Sequence, residues 1–433
     1  MTPLGDLVQP VGAEGLLTLS DQLVIYQCHH SALFLDQTVS DALGGEGWAV
    51  RRHAAFEATH ALLTSLANEL DLLTPEEKLD LGMELFAALG HGKLTFEISA
   101  EGGVVRGDSL HHGTSFCEKY GHTIRNKKPM DAFAAGYCAA VATLAFPSDW
   151  GLFEADEVSC IARRDDGCSF ILTRRPERVL FGAVVTRSAV ETMALRAATR
   201  EPAGPSGSAL PAAKGDVAAG SAAGVAKIVG GLAADERGRV RAFGVNLALV
   251  PAGYANQISF DTMHLVEKRT PELFGVYGAL VREASQIGAF HLLGGVLASA
   301  SWVAEFGLPA RDVELRLQQL LGIARAFGWG VFDVVDFAPE RRLVVKSAMT
   351  HESAYYAIRY GATVRSRLAF LQGFALALMQ LLHRVDFTSE RPIERDTYDA
   401  LFKSGTRFHV EETRSPLRGD GACEVAVDAL AER

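Results

Sequence analysis

One short segment of the sequence combines residue types that bind metal ions. Glu157 is followed three positions later by Cys160, and Cys168 comes after seven further residues. A carboxylate and two thiolates are typical zinc ligands, and a turn at Gly167 would bring the second sulfur back beside the first. The alternative is a pair of buried cysteines on a β-hairpin, because free cysteine is one of the most often buried residue types.

A second group of potential ligands is the run Cys28-His29-His30. It follows a β-like segment, and successive side chains of a strand point to opposite faces, so at most Cys28 and His30 could share one site. One interpretation is a site for a redox metal or haem, with partners among His60, His111 and His112. The other, which we favour, is a turn with solvent-facing histidines.

The bulk composition excludes some classes of partner. The net charge is -10 and no block of lysine and arginine interrupts it, which argues against nucleic-acid binding. No apolar run approaches the roughly 18 residues of a membrane span, and the N-terminus lacks the pattern of a signal peptide. Five of the six cysteines fall in the first half, which is typical of metal or thiol chemistry in a reducing compartment. We therefore expect a cytoplasmic protein without a membrane partner.

The elements that carry these residues occur twice along the chain. A helix with Thr74 as its predicted N-cap ends at Leu89-Gly90-His91-Gly92, and a second apolar helix ends at Phe327-Gly328-Trp329-Gly330. Each helix is followed by two strands joined by a turn, then by His111 or His351, and then by a helix rich in Ala and Leu. Several blocks agree in order and spacing, which indicates a tandem duplication.

A segment poor in large apolar residues separates the two halves. Residues 201–224 are mostly Ala, Gly, Pro and Ser, which bury too little surface to offset the entropy of ordering. We predict a flexible linker there, between a first domain over residues 1–200 and a second over residues 225–433.

The corresponding segment of the second half favours the metal interpretation of the first. It has Glu412, Ser415 and Cys423 at the same spacing. A serine hydroxyl is a poor zinc ligand, so the second half is predicted to have lost the site. A metal in the first half would then not be a general requirement of the fold.

The run Ala135-Gly136-Tyr137, the Ala-rich helix that follows, and the ending Glu157-x-x-Cys160-x7-Cys168-x-Phe170 resemble the 4-vinyl-reductase domain family. That family includes the bacteriochlorophyll-synthesis protein that names it. It also includes the sensory domains of phenol- and xylene-responsive transcription activators. The second half matches the family in layout but weakly in motif.

The resemblance implies a zinc site and a ligand pocket. In the aromatic sensors a further cysteine precedes the Gly-Tyr helix, and its position falls on Asp131, which can also bind zinc; Cys138 competes for this role. The matching position of the second half is Leu368, which is consistent with a lost site. By the same resemblance, the ligand pocket of the first half would be lined by His111, Phe116, Tyr120 and Tyr137.

Together these observations predict an α/β (α+β) protein in which each half is an antiparallel sheet packed by helices around a ligand cavity, the halves forming a pseudo-dimer. The predicted function is a zinc-containing sensor of a small apolar or aromatic molecule. The family's activators carry an ATPase and a helix-turn-helix, and neither motif is found here. We therefore expect the signal to pass to a separate protein partner; a homo-oligomer is the alternative assembly.

The alternative is a biosynthetic enzyme similar to the tetrapyrrole vinyl reductase. It would use a redox metal or haem in the first-half cavity, with Cys28, His30 and His111 around it. The common catalytic signatures are absent from the sequence: it has no Gly-rich phosphate loop after a strand, no Gly-x-Ser-x-Gly elbow and no His-Glu-x-x-His.

Overall fold

The architecture comes from a computed structural model. It describes residues 3–121, 126, 128–176, 184–200, 210, 212–389, 393, 396–403 and 407–430.

The first half begins with three short strands and continues through helices and a second sheet. Its elements are β1 (Gln9–Val11), β2 (Leu16–Leu19), β3 (Gln22–Cys28), α1 (His29–Leu43), α2 (Glu46–Glu69), α3 (Pro75–Ala88), β4 (Thr95–Ser99), β5 (Gly102–Gly107), α4 (His111–Tyr120), α5 (Ala132–Ala145), β6 (Leu152–Ser159), β7 (Cys168–Arg175) and α6 (Arg187–Arg200).

The second half repeats much of this order with additional helices. Its elements are α7 (Ala212–Gly230), β8 (Val240–Ala242), β9 (Val245–Pro251), α8 (Ala252–Arg269), α9 (Phe274–Leu297), α10 (Ala300–Phe306), α11 (Val313–Ala326), β10 (Asp333–Ala338), β11 (Arg342–Ser347), α12 (His351–Arg359), α13 (Ala369–His383), α14 (Thr397–Lys403), β12 (Phe408–Arg414) and β13 (Cys423–Ala429).

The sheets confirm the predicted fold class. Within the described residues, each half has a four-stranded antiparallel sheet, in the order β4-β5-β7-β6 in the first half and β10-β11-β13-β12 in the second. Helices pack against these sheets, and α5 and α13 are buried over almost their whole length. The two halves therefore have the same sheet order and the same kind of central helix.

Small residues allow the central helices to pack closely. A Cβ atom at Gly136 of α5 would lie 2.3 Å from the backbone oxygen of Arg52 on α2. A Cβ atom at Gly373 of α13 would lie the same 2.3 Å from the backbone oxygen of Arg282 on α9. Helix α2 therefore corresponds to α9, with Arg52 at the position equivalent to Arg282.

The third sheet joins the two halves. Its order is β1-β2-β3-β9-β8, and β3 pairs antiparallel with β9, the equivalent strand of the second half. Each of these strands also contacts the body of the other half: the Leu249 N–H donates to the Leu89 carbonyl, and the Tyr26 N–H donates to the Phe327 carbonyl. The N-terminal strands of the two halves are thus exchanged, each contacting the body of the other half.

Helix α3 begins as the sequence predicts. The Thr74 hydroxyl accepts from the Glu77 N–H and the Glu77 carboxylate accepts from the Thr74 N–H, which completes a capping box. Beyond the helix ends, Gly90 and Gly328 have positive φ angles of 87° and 79°. Both predictions are confirmed. The sequence could make them because these signals depend on local backbone geometry alone.

The predicted flexible linker is wrong for residues 212–224, which belong to helix α7 and pack on α11. Small residues make this contact possible, since a Cβ atom at Gly322 would lie 2.5 Å from the Ala218 oxygen. The composition that suggested flexibility instead allows two helices to approach closely. Residues 201–209 and 211 of the predicted linker lie outside the described residues.

No single helix among the described residues is long and apolar enough to cross a membrane. One pair of helical segments, Pro271–Leu297 and Ala300–Phe306, meets the length and composition criteria jointly and is bent by 53° at the break between them.

Candidate metal centre

Three separate elements deliver the candidate ligands. Asp131 lies immediately before α5, Glu157 lies near the end of β6, and Cys168 is the first residue of β7. The pairing of β6 with β7 shifts register between Glu157 and Ser159, and Cys160 follows directly. This irregularity and the short 3-10 turn after it place both cysteines at the same end of the hairpin.

The four side chains converge on one buried point. One ligand atom from each of Asp131, Glu157, Cys160 and Cys168 lies within 4.8 Å of all the others, and all four residues are buried. The Asp131 Oδ2 atom is 3.3 Å from the Cys168 sulfur and 3.7 Å from the Cys160 sulfur. This cluster could hold a metal ion. All four residues are among the ligands predicted from the sequence.

Backbone groups orient the cluster. The Gly113 N–H donates to Asp131 Oδ1 at 3.2 Å, and the Asp131 N–H donates to Glu157 Oε2 at 3.0 Å. The Cys160 N–H donates to an Asp165 oxygen at 2.8 Å, which closes the turn between the strands. These bonds leave Asp131 Oδ2 and both sulfurs directed toward one another.

The cluster concentrates acidic groups where water cannot solvate them. Burial, reinforced by neighbouring negative charge, raises the pKa of Asp131 and of Glu157 well above the usual range. A hydrogen bond from Cys168 lowers the pKa of Cys160 to about 6, which favours its thiolate. Glu157 Oε1 is buried and has no hydrogen-bond partner among the described residues. A donor set of this kind fits a divalent cation, which would neutralise the charge and occupy that oxygen.

The competing candidate Cys138 is buried on α5 but is not part of the converging group. It lies seven residues beyond Asp131, so the cluster meets at the start of the helix while Cys138 belongs to its interior.

The equivalent region of the second half has partners of another kind. Glu412 Oε2 accepts the backbone N–H groups of Arg367 and Leu368, both at 3.0 Å. The Ser415 hydroxyl accepts the Leu417 N–H at 3.3 Å, and burial raises the pKa of Cys423 to about 12. In the described part of the second half no group of three potential ligands converges.

The four residues predicted to line the ligand pocket do not converge on one cavity. The Tyr137 hydroxyl donates to the Gly82 carbonyl at 2.9 Å, and Phe116 packs on Tyr120 at 4.8 Å between ring centroids. His111 begins α4 and is buried against His91, with ring centroids 5.9 Å apart. Neither His111, Phe116, Tyr120 nor Tyr137 lines any of the cavities described below.

The residues proposed for a redox metal or haem are also dispersed. Cys28 lines a small enclosed space and approaches the Gly288 carbonyl at 3.7 Å, whereas His30 lines a different cavity. His60 stacks on Phe56, and His112 lies 3.8 Å from an Asp36 oxygen.

The prediction of a solvent-facing turn at Cys28-His29-His30 is wrong. Cys28 ends β3, and both histidines begin α1 and are buried. The physical reason is that β3 is an inner strand of the shared sheet, so the helix after it starts inside the molecule and not at its surface.

A cavity of about 690 Å³ opens beside this four-residue cluster. It is lined by Met130 and Glu157 on the side of the cluster, and by Trp48, Asp36 and Arg51 on the other. Asp36 and Arg51 form a buried ion pair with 2.9 Å between their charged atoms.

Sequence reasoning missed this pair. The available signal was a carboxylate among the apolar residues of one helix and a guanidinium on the next, but their pairing depends on how α1 and α2 pack.

Comparisons with known proteins give little further guidance. No protein family model matches the chain, and no curated protein matches it. One solved structure that it resembles is the phenol-responsive sensory domain of the transcription activator PoxR with phenol, at 17% sequence identity and a TM-score of 0.32. The match covers 40% of this chain and 86% of that one. A likeness at this level fixes neither the fold nor the function of the chain.

Proposed function

We propose that the chain is a small-molecule-binding protein of the sensory type, with a structural zinc ion held by Asp131, Glu157, Cys160 and Cys168. The observation that carries the proposal is the convergence of these four buried groups within 4.8 Å. Two thiolate ligands favour zinc over magnesium or calcium, which prefer oxygen ligands.

A zinc ion at this position would connect elements that are far apart in sequence. Asp131 precedes the central helix α5, whereas Glu157, Cys160 and Cys168 belong to the β6–β7 hairpin. The ion would therefore fix the start of α5 to the hairpin. Metal binding of this type contributes directly to the free energy of unfolding.

The cavity beside this centre is the proposed ligand site. Trp48 and Met130 offer it apolar surface, and the Asp36–Arg51 pair offers groups that could bind a hydroxyl or a carbonyl. Such a lining suits a small aromatic molecule with one polar substituent. Because Glu157 lines the cavity and belongs to the cluster, ligand binding would act directly on the metal-bound hairpin.

We further infer that the two halves arose by tandem duplication and form a pseudo-dimer. The repeated sheet order and the exchanged strands β3 and β9 support this inference. In this interpretation the second half supplies an interface, and a separate protein partner receives the signal.

Native mass spectrometry of the full chain, combined with elemental analysis, tests the metal. We expect one zinc ion per chain and a colourless protein. A chain that takes up no zinc when refolded with it would contradict the proposal. Bound iron with a Soret absorption band would instead favour the alternative, a haem-dependent enzyme.

The ligand site is tested by adding phenol, as the aromatic probe, in increasing concentration and measuring the melting temperature. A ligand that binds the folded state raises the melting temperature, and Trp48→Ala should abolish that rise. Trp150→Ala is the matched control, because Trp150 is 70% exposed and lies outside the cavity. A rise that is unchanged in Trp48→Ala would place the aromatic site elsewhere.

A further inference from the structure

A separate cavity of about 470 Å³ lies where the two halves meet, and three histidines line it. His29 and His30 are the first two residues of α1, and His291 comes from α9 of the other half. The imidazole of His30 lies between the other two, with 4.0 Å between centroids on each side; it is stacked on His291 and tilted by 37° from His29. All three side chains are more than nine-tenths buried.

The histidines present polar groups to the cavity. Burial, with the positive charge of Lys119 nearby, lowers the pKa of His291 to about 3, so its imidazole is neutral at physiological pH. A neutral imidazole offers one N–H donor and one acceptor. His291 has ring contacts with its neighbours but no hydrogen bond to any described residue. Only 4% of its surface is exposed. A side chain of this kind can form a hydrogen bond with an occupant of the cavity, whether water or a ligand.

The charges around the cavity favour an anion. Lys119 and Arg241 line it together with one carboxylate, that of Glu118. The Glu118 carboxylate is bound by both Arg239 and Arg241 and accepts from the Asn246 side chain at 2.7 Å. Among the lining residues, Lys119 and Arg241 thus outnumber the single carboxylate in a chain whose net charge is -10.

The second half offers an internal comparison. A cavity of about 450 Å³ occupies the pseudo-symmetric position, and Gly253 and Ala61 line it. Gly253 is the second residue of α8, as His30 is of α1, so these two positions are equivalent. The match of α2 with α9 makes Ala61 the equivalent of His291. The fold therefore does not require a histidine at either position.

The lysine that lines the histidine cavity also has a counterpart in the other cavity. Lys119 corresponds to Arg359, since α4 and α12 begin at the equivalent residues His111 and His351. Arg359 is paired with the buried Glu57 at 2.7 Å, so its charge is neutralised within the pseudo-symmetric cavity. The histidine cavity combines the neutral imidazole of His291 with two positive side chains and one carboxylate.

A shared metal ion is the less suitable occupant. The rings of His30 and His291 are nearly parallel, at 17°, so their nitrogen lone pairs point along parallel planes and do not converge. Among the described residues, these histidines do not form a group whose ligand atoms lie within reach of one ion.

We propose that this interface cavity binds a small organic or inorganic oxyanion, a carboxylate or a phosphate, through Lys119 and the histidine imidazoles. The site is distinct from the metal centre and from the cavity beside it. Because it takes residues from both halves, its occupant would connect α1 of the first half to α9 of the second.

Isothermal titration of the full chain with inorganic phosphate, and separately with malonate, tests the proposal at low ionic strength. We expect at least one of them to bind, and added salt to weaken the binding. Lys119→Met and His291→Ala should each weaken it by about tenfold or more, as expected for loss of a hydrogen bond to a charged group. His291→Ala introduces the residue found at the pseudo-symmetric position, and Lys119→Met alters a partly exposed side chain, so at least one variant should fold.

His60→Ala is the matched control, because His60 lines the pseudo-symmetric cavity. It should leave both titrations unchanged. The proposal is overturned if neither anion binds, if binding survives in both Lys119→Met and His291→Ala, or if His60→Ala weakens it equally.

Discussion

At the scale of single residues, the chemistry is concentrated in side chains that the fold removes from water. Asp131 and Glu157 are carboxyl groups that burial makes costly to ionise, and Cys160 favours its thiolate beside them. Without a cation this cluster would oppose folding, and the proposed zinc ion would stabilise the fold. The balance between these two states gives direct experimental tests.

Cys168→Ser should release the metal and lower the melting temperature by several degrees. A domain of this size loses about 2–4 °C for each kcal/mol of stability. Differential scanning calorimetry of the zinc-loaded protein measures the change. An unchanged melting curve would argue against a structural zinc ion.

Cys423→Ser is the natural control for that experiment, because Cys423 is buried at the equivalent position of the second half. It has no converging ligands among the described residues, so its substitution should cost much less. An equal loss of stability would show that the second half also depends on this position.

Glu157→Gln should have opposite effects on the two states. It removes a buried acidic group whose Oε1 has no hydrogen-bond partner in the described structure, so the metal-free chain should gain stability. Zinc affinity should fall, because a ligand is lost. Melting curves with and without a chelator check both effects, and destabilisation of the metal-free form would contradict this account.

At the scale of elements, glycine positions control how the halves meet. Gly90 has a φ of 87°, and a Cβ atom there would lie 2.7 Å from the Leu247 oxygen on β9. Gly361 has a similar φ of 82°, but a Cβ atom there would have no neighbouring atom within 4 Å. The two glycines therefore separate backbone strain from steric contact.

Gly90→Ala should destabilise the protein more than Gly361→Ala does. Both substitutions cost about 1–2 kcal/mol for a left-handed backbone, and the first adds a steric clash of about 1–3 kcal/mol with β9. Urea unfolding of the two variants measures the difference. Equal costs would mean that the strand contact is loose.

At the scale of the whole molecule, the exchange of β3 and β9 makes each half incomplete. The Nε1–H group of Trp329 donates to the Tyr26 carbonyl at 3.2 Å, and the Nε2 atom of His91 lies 3.1 Å from the Leu249 carbonyl oxygen. These equivalent contacts cross between the halves in both directions. The division into two domains that the composition predicted is therefore not a division into two independent sheets.

Fragments 1–200 and 210–433, produced together, should form a one-to-one complex. Each fragment alone leaves the edge of its N-terminal strand unpaired and should aggregate or unfold. Size-exclusion chromatography with light scattering, supported by circular dichroism, tests this expectation. Two stable monomers with native spectra would contradict it.

The sequence by itself determined the features that depend on local chemistry. The capping box at Thr74, the positive φ of Gly90 and the spacing of Glu157, Cys160 and Cys168 are readable from neighbouring residues. The repeated order of elements and the antiparallel sheet packed by helices followed from the same patterns.

Only the tertiary structure decided what depends on long-range packing. It selected Asp131 over Cys138 for the cluster, paired Asp36 with Arg51, and ordered residues 212–224 as a helix on α11. It also stacked His30 on His291, which lie far apart in the sequence. Such contacts are decided when surfaces from distant segments pack together, and neither spacing nor composition encodes which surfaces will meet.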